Sequence, residues 1–151
     1  MAESILSIRR LNKFFGDFKV VDELDLDIRS GEMVAFLGPS GCGKTTTLRM
    51  ISGLARPSSG DIEFDGKPYV SMSRKIYLPP EKRNIGMVFQ SYALWPHMTV
   101  AENVGYPLKL RGMNKAEIRQ KVTEVLELMG LEKLIDQTVP KLSGGQQQRV
   151  A

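Results

Sequence analysis

The spacing of apolar residues changes period partway along the 151-residue chain. Ile5 to Phe15 reads as a strand, and residues 20–28 alternate, with Val21, Leu24, Leu26 and Ile28 set among Asp22, Asp25 and Asp27. That period of two predicts a half-buried strand. Ser30-Gly31-Glu32 marks a turn, and Met33-Val34-Ala35-Phe36-Leu37 follows as an unbroken apolar run, which predicts a strand buried on both faces. Thr45 to about Gly53 predicts a helix with Leu48, Met50, Ile51 and Leu54 apolar, ended by Pro57-Ser58-Ser59-Gly60. Residues 61–66 alternate as a strand closing in a turn. Residues 67–83 show no regular period, and Leu78-Pro79-Pro80-Glu81 cannot be helix interior. Asn84 to Gln90 predicts a second buried strand. Beyond it the period becomes helical. Thr99 and Glu102 form a capping-box start to a helix that Gly105 and Pro107 are expected to keep short. Asn114 caps an amphipathic helix with Ile118, Val122, Val125, Leu126 and Met129 on its apolar stripe, ending near Gly130. Residues 1–90 are therefore read as mostly β with one helix, and residues 91–151 as mostly α.

Two motifs carry chemistry. Gly38-Pro39-Ser40-Gly41-Cys42-Gly43-Lys44-Thr45 fits the phosphate-loop pattern G-x-x-x-x-G-K-[ST] and stands between an apolar run and a helix. The glycines let successive backbone N–H groups face a β-phosphate at the positive end of the following helix. Lys44 is suited to the β- and γ-oxygens, the Thr45 hydroxyl to Mg²⁺, and Thr46 to the α-phosphate. Near the C-terminus, Leu142-Ser143-Gly144-Gly145-Gln146 reads as a helix start with Ser143 as cap and two glycines in the first turn. A hydroxyl beside open glycine amides also suits a γ-phosphate.

Together, in this order, the two motifs resemble the ATP-binding subunits of ATP-binding cassette (ABC) transporters, over essentially the whole chain. The resemblance implies an α/β fold: a P-loop NTPase core, an ABC-type antiparallel β subdomain and an α-helical subdomain, incomplete at the C-terminus. It implies ATP and Mg²⁺ as cofactors. It also implies a head-to-tail dimer in which Ser143, Gly144, Gly145 and Gln146 close over ATP held by the partner's phosphate loop. Phe15 matches the aromatic that stacks on adenine, with a core aromatic as the alternative. Gln90 matches the glutamine that reaches Mg²⁺ or the attacking water, so Lys44 and Gln90 are the expected catalytic pair. Tyr92, Leu94 and Trp95 would border the groove for a cytoplasmic helix of a transmembrane permease subunit, although Trp95 also suits a core. The segment from Gly86 to Val104 and the residues before the signature look like bacterial importers for iron(III), polyamines and sugars, which implies a solute-binding protein as an indirect partner. A soluble ABC-type ATPase and an inactive nucleotide-binding fragment stay open as alternatives. The family's aspartate, general-base glutamate and switch histidine lie beyond the signature. Efficient hydrolysis by these residues alone is therefore not expected, and Met33–Leu37 should expose an apolar edge for want of its neighbouring strand.

Composition removes other classes. The chain is 42% hydrophobic and 25% charged, and no apolar run approaches the ~20 residues of a membrane span. The N-terminus lacks the pattern of a secretory signal, and Cys42 is the only cysteine, which excludes an intrachain disulfide. A cytoplasmic protein, peripheral on the inner face of the membrane, is expected. The net charge of +4 is dispersed among acidic residues, against a nucleic-acid partner. Val20-Val21-Asp22-Glu23 imitates the end of a metal-binding strand, but it precedes the phosphate loop and its alternation suits a half-exposed strand. His97, the only histidine, reads as a loop residue, and one histidine and one cysteine at distant positions argue against a structural zinc site.

Overall fold

The computed structural model describes residues 4–151, which form two compact units divided between residues 87 and 88. In the first, β1 (Ser4–Phe15), β2 (Phe18–Arg29), β3 (Ser59–Phe64), β4 (Lys67–Ser71) and β5 (Ile76–Tyr77) make one antiparallel sheet in the order β2-β1-β3-β4-β5. Helix α1 (Lys44–Ser52) supplies Met50 to the core, where it meets Leu6, Ile8, Leu11, Val21, Ile62, Tyr69 and Val70. The alternation of β2 slips between Val21 and Leu24 because Glu23, across from Asn12, takes a left-handed conformation (φ 42°), and β1 has a similar kink at Arg10 (φ 43°), across from Asp25. These are β-bulges, which re-aim a strand by one residue. The buried Asn12 side chain holds them: it accepts the Glu23 N–H at 3.0 Å and donates to the Arg10 carbonyl at 3.0 Å.

The two continuous apolar runs do not become strands, which corrects the sequence expectation. Residues 33–37 and 84–89 carry no regular structure, and Met33, Leu37 and Val88 are 96%, 92% and 71% exposed. A buried strand needs a neighbour for its N–H and C=O groups, and among the described residues neither run has a ladder partner. Apolar side chains are exposed at Met33 and Leu37, but the unpaired strand edge expected there does not form, because the run stays irregular. Val34 and Phe36 line a cavity of about 480 Å³ together with Leu6, Ile28, Leu48 and Ile51.

The segment read as irregular, 67–83, contains β4, β5 and a short 3-10 turn over Pro80–Lys82. Arg83, only 3% exposed, organises it. Its guanidinium donates to the carbonyls of Met50 (2.7 Å) and Ile51 (2.8 Å) at the end of α1, and to Leu78 (2.7 Å). It lies against the rings of Tyr69 and Tyr77 at 5.5 and 5.2 Å. Burial pulls its pKa below the ordinary arginine value, while the two tyrosines act in the opposite direction.

The second unit is helical: α2 (Val100–Leu110), α3 (Lys115–Leu128) and α4 (Gly144–Val150). Each begins with a complete capping box, at Thr99/Glu102, Asn114/Glu117 and Ser143/Gln146. The Thr99 N–H, donated to the Glu102 carboxylate at 2.8 Å, holds that group's pKa below its usual range. Helix α2 runs eleven residues through Pro107, longer than expected. Proline forfeits one intrahelical bond, and packing against α3 compensates: a Cβ at Gly105 would lie 2.8 Å from the Ile118 Cγ2, so glycine permits the close approach. On α3 the apolar stripe is narrower than its sequence suggests. Val122 and Leu126 are buried with Val100, Leu131 and Leu142, whereas Val125 and Met129 are 44% and 46% exposed.

Candidate nucleotide site and partner-facing elements

The phosphate loop leads directly into α1, with Gly43 as N-cap at φ 92°. Only glycine adopts that conformation readily. A Cβ there would also lie 2.6 Å from the Val20 carbonyl oxygen, so the loop packs directly on β2. No side chain caps α1, and its first turn holds no acidic residue. Its leading N–H groups are thus open to an anionic ligand, reinforced by the helix dipole. Lys44 folds back over the loop and donates to the carbonyls of Gly38 (2.6 Å) and Pro39 (2.7 Å), with its Nζ 3.4 Å from the Cys42 Sγ. Gly38, Pro39, Ser40, Gly41, Cys42 and Thr45 are exposed, and Thr46 is partly so. This donor set, one cation with open amides and hydroxyls, fits a polyphosphate; the carboxylate that lines the same cavity as Lys44 and Thr45, that of Glu32, accepts the Arg29 N–H at 2.9 Å. Among the described residues no group of three acidic, histidine or cysteine side chains is placed to hold a metal.

Phe15 is not a core residue. It ends β1 with 56% of its surface exposed, in the same unit as the phosphate loop.

In the helical unit, Gln90 is exposed and opens a turn closed by the Tyr92 N–H bonding to the Phe89 carbonyl at 2.9 Å. Tyr92 and Ala93 then take left-handed conformations (φ 63° and 53°), uncommon for residues other than glycine. Tyr92 and Leu94 are partly buried, and Trp95 is 40% exposed with its ring 4.6 Å from that of Tyr106. Tyr106 in turn lines a mainly apolar groove of about 620 Å³ between α2 and α3, with Met98, Gly105, Met113, Ile118 and Val122.

The residue that fixes Trp95 escaped the sequence reading. Asn103, buried on α2, accepts the Trp95 N–H (2.8 Å) and donates to the carbonyls of Trp95 (3.2 Å) and Thr99 (2.9 Å). An asparagine in a predicted helix carries no mark of such a role. Asn103→Asp removes both donors and sets a carboxylate against two carbonyls, a loss of about 2 kcal/mol. Because Trp95 is the sole tryptophan, the expected result is a red-shifted emission and stronger acrylamide quenching; an unchanged spectrum would show that the loop is held by other contacts.

The signature residues form the start of α4. Ser143 Oγ accepts the Gln146 N–H at 3.3 Å and Gln146 Oε1 accepts the Ser143 N–H at 2.8 Å, while Gly144 and Gly145 stay exposed. Arg149, not singled out from sequence, ties α4 to the end of α3 by donating to the Met129 carbonyl at 2.8 Å.

A phosphate loop on a short helix, an antiparallel sheet beside it in the same unit, and a helical unit ending in a capped glycine helix define an ABC-type ATP-binding domain. The chain belongs to the ABC transporter family, which residues 21–151 match. It is 53% identical over 92% of its length to the trehalose/maltose import ATP-binding protein MalK of Thermococcus litoralis, and 50% identical over 99% to the Fe(3+) ions import ATP-binding protein FbpC of Photorhabdus laumondii. It is 48% identical over 97% to the spermidine/putrescine import ATP-binding protein PotA of Thermotoga maritima. The chain spans 37%, 41% and 38% of the lengths of these relatives. Among solved structures, cbiO1 from Clostridium perfringens, part of the ABC transporter complex cbiONQ, superimposes with a TM-score of 0.77 at 31% identity, over 98% of this chain and 59% of that one. Among the described residues no helix is long and apolar enough to cross a membrane.

Proposed function

We propose that these residues form the nucleotide-holding and signature-bearing part of an importer ATP-binding subunit, which works on the cytoplasmic face of a membrane complex. The observation that carries this reading is the uncapped start of α1 under Lys44, in one chain with the Ser143-capped helix α4. ATP places its phosphates on the amides of residues 41–46 and takes the Lys44 ammonium from the Gly38 and Pro39 carbonyls. Thr45 meets the accompanying Mg²⁺. Phe15 receives the adenine, and Gln90 reaches Mg²⁺ or the attacking water. Ser143, Gly144, Gly145 and Gln146 act on the nucleotide of a second subunit. The groove beside Trp95 takes a helix of a permease subunit, whose solute reaches it from a binding protein. Residues 1–151 by themselves hold MgATP without turning it over efficiently, since among the described residues the carboxylate lining the cavity beside Lys44 and Thr45, that of Glu32, is already engaged by the Arg29 N–H. The solutes of the three relatives favour one of the iron(III), polyamine or sugar group.

Mixed dimers of the full-length protein test the head-to-tail arrangement. Lys44→Ala in one subunit and Ser143→Arg in the other leave one composite site intact, and about half the ATPase rate is expected. The same two substitutions in a single subunit, paired with wild type, damage both sites and should abolish activity. Equal rates for the two combinations would overturn the reading.

A further inference from the structure

We propose that Phe18 and Lys13 complete the base-binding platform at the tip of the β1–β2 hairpin, Phe18 as a second contact to the base and Lys13 as a positioning residue behind Phe15. The inference rests on the nucleotide-binding reading above and extends it to two residues outside the phosphate loop and its single stacking aromatic.

Phe15 and Phe18 are directly opposed in the β1–β2 ladder, so their side chains project from the same face of the hairpin with Cβ atoms about 5 Å apart. Both are exposed, Phe18 to 69%. Large aromatic side chains dominate burial energetics when they are covered, and an adjacent exposed pair is a surface prepared for an apolar, flat ligand. Phe14 belongs to the other face, where it is opposed to Lys19, whose ammonium lies 5.5 Å from its ring. The two faces of the hairpin tip are therefore distinct.

Lys13 settles which way Phe15 can be used. Its ammonium lies 4.8 Å from the centre of the Phe15 ring and donates to the Arg56 carbonyl at 2.8 Å. A cation held by a backbone acceptor covers one face of the ring and fixes its angle, which leaves the opposite face for stacking. The platform is also tied to the phosphate loop. The loop packs at Gly43 against the Val20 carbonyl, and Val20 is two residues, about 7 Å of strand, from Phe18. One short stretch of β2 thus supports both the loop that takes the phosphates and the aromatic that takes the base.

Binding of MgATP and of magnesium tripolyphosphate, measured by titration calorimetry on the whole chain, separates base contacts from phosphate contacts. Phe18→Leu is expected to weaken MgATP about fivefold and Lys13→Met about threefold, each with tripolyphosphate affinity unchanged. Phe18→Tyr, which keeps the ring, should retain wild-type MgATP affinity. Unchanged MgATP affinity in Phe18→Leu and Lys13→Met, or equal losses for both ligands, would overturn the proposal. Wild-type protein that binds tripolyphosphate as tightly as MgATP would remove the base platform while leaving the phosphate loop in place. Wild-type protein that binds neither would remove the nucleotide reading itself.

Discussion

Lys44→Ala is expected to weaken MgATP binding by at least about 100-fold while leaving the fold in place. The ammonium now satisfies itself on the Gly38 and Pro39 carbonyls at 2.6 and 2.7 Å, and the same donors are the only side-chain cation bonded within the loop. Hydrogen bonds between charged partners contribute about 1.5–3 kcal/mol each. Losing two of them towards phosphate oxygens removes about 3 kcal/mol or more, and each 1.4 kcal/mol is a factor of ten. The open amides of α1 remain, so residual weak binding of the anion should persist. Stability should change little, because the two carbonyls lie in an exposed loop and exchange the ammonium for water. Equilibrium titration with a fluorescent ATP analogue, alongside a thermal melt, checks both halves. Equal affinity for wild type and variant would show that the loop is not the phosphate site.

The second large effect concerns stability. Arg83→Met should cost about 3 kcal/mol, because it removes a donor from three carbonyls, leaving that of Met50 only the Gly53 N–H, while the thioether still fills the space between Tyr69 and Tyr77. Two of those carbonyls, of Met50 and Ile51, belong to the end of the helix whose beginning carries Lys44 and Thr45. Arg83→Lys should recover part of the loss, since a single ammonium cannot span the same acceptors. An opposing contribution is visible: the Nη2 group is buried without a partner, and desolvating a charge can cancel what its bonds contribute. Urea denaturation decides which prevails. A midpoint lowered at constant slope is expected, and an unchanged midpoint would show that desolvation offsets all three bonds.

What could be read from residue order alone was what short-range chemistry dictates. The capping boxes at Thr99, Asn114 and Ser143 need only residues three apart, and the phosphate loop needs only its own eight positions. The alternation of β2 was legible because its aspartates face water on one side. The sequence therefore determined where helices start, which loop can hold a polyphosphate, and the family. It could not determine whether Met33–Leu37 and Asn84–Gln90 are strands, because a strand exists only through its neighbour's hydrogen bonds and an apolar run does not name that neighbour. Nor could it show that Pro107 lies within a helix, a local cost outweighed by packing of Gly105 against Ile118. Only the tertiary structure decided that Arg83 closes the end of α1, that Asn103 holds Trp95 beside the groove, and that Lys13 and Phe18 stand behind and opposite Phe15. The Arg83 contacts join residues more than thirty positions apart. Asn103 is nearer in sequence, but its use depends on the path of the loop. A polar side chain shows its type in the sequence and its partners only when the chain has closed around it.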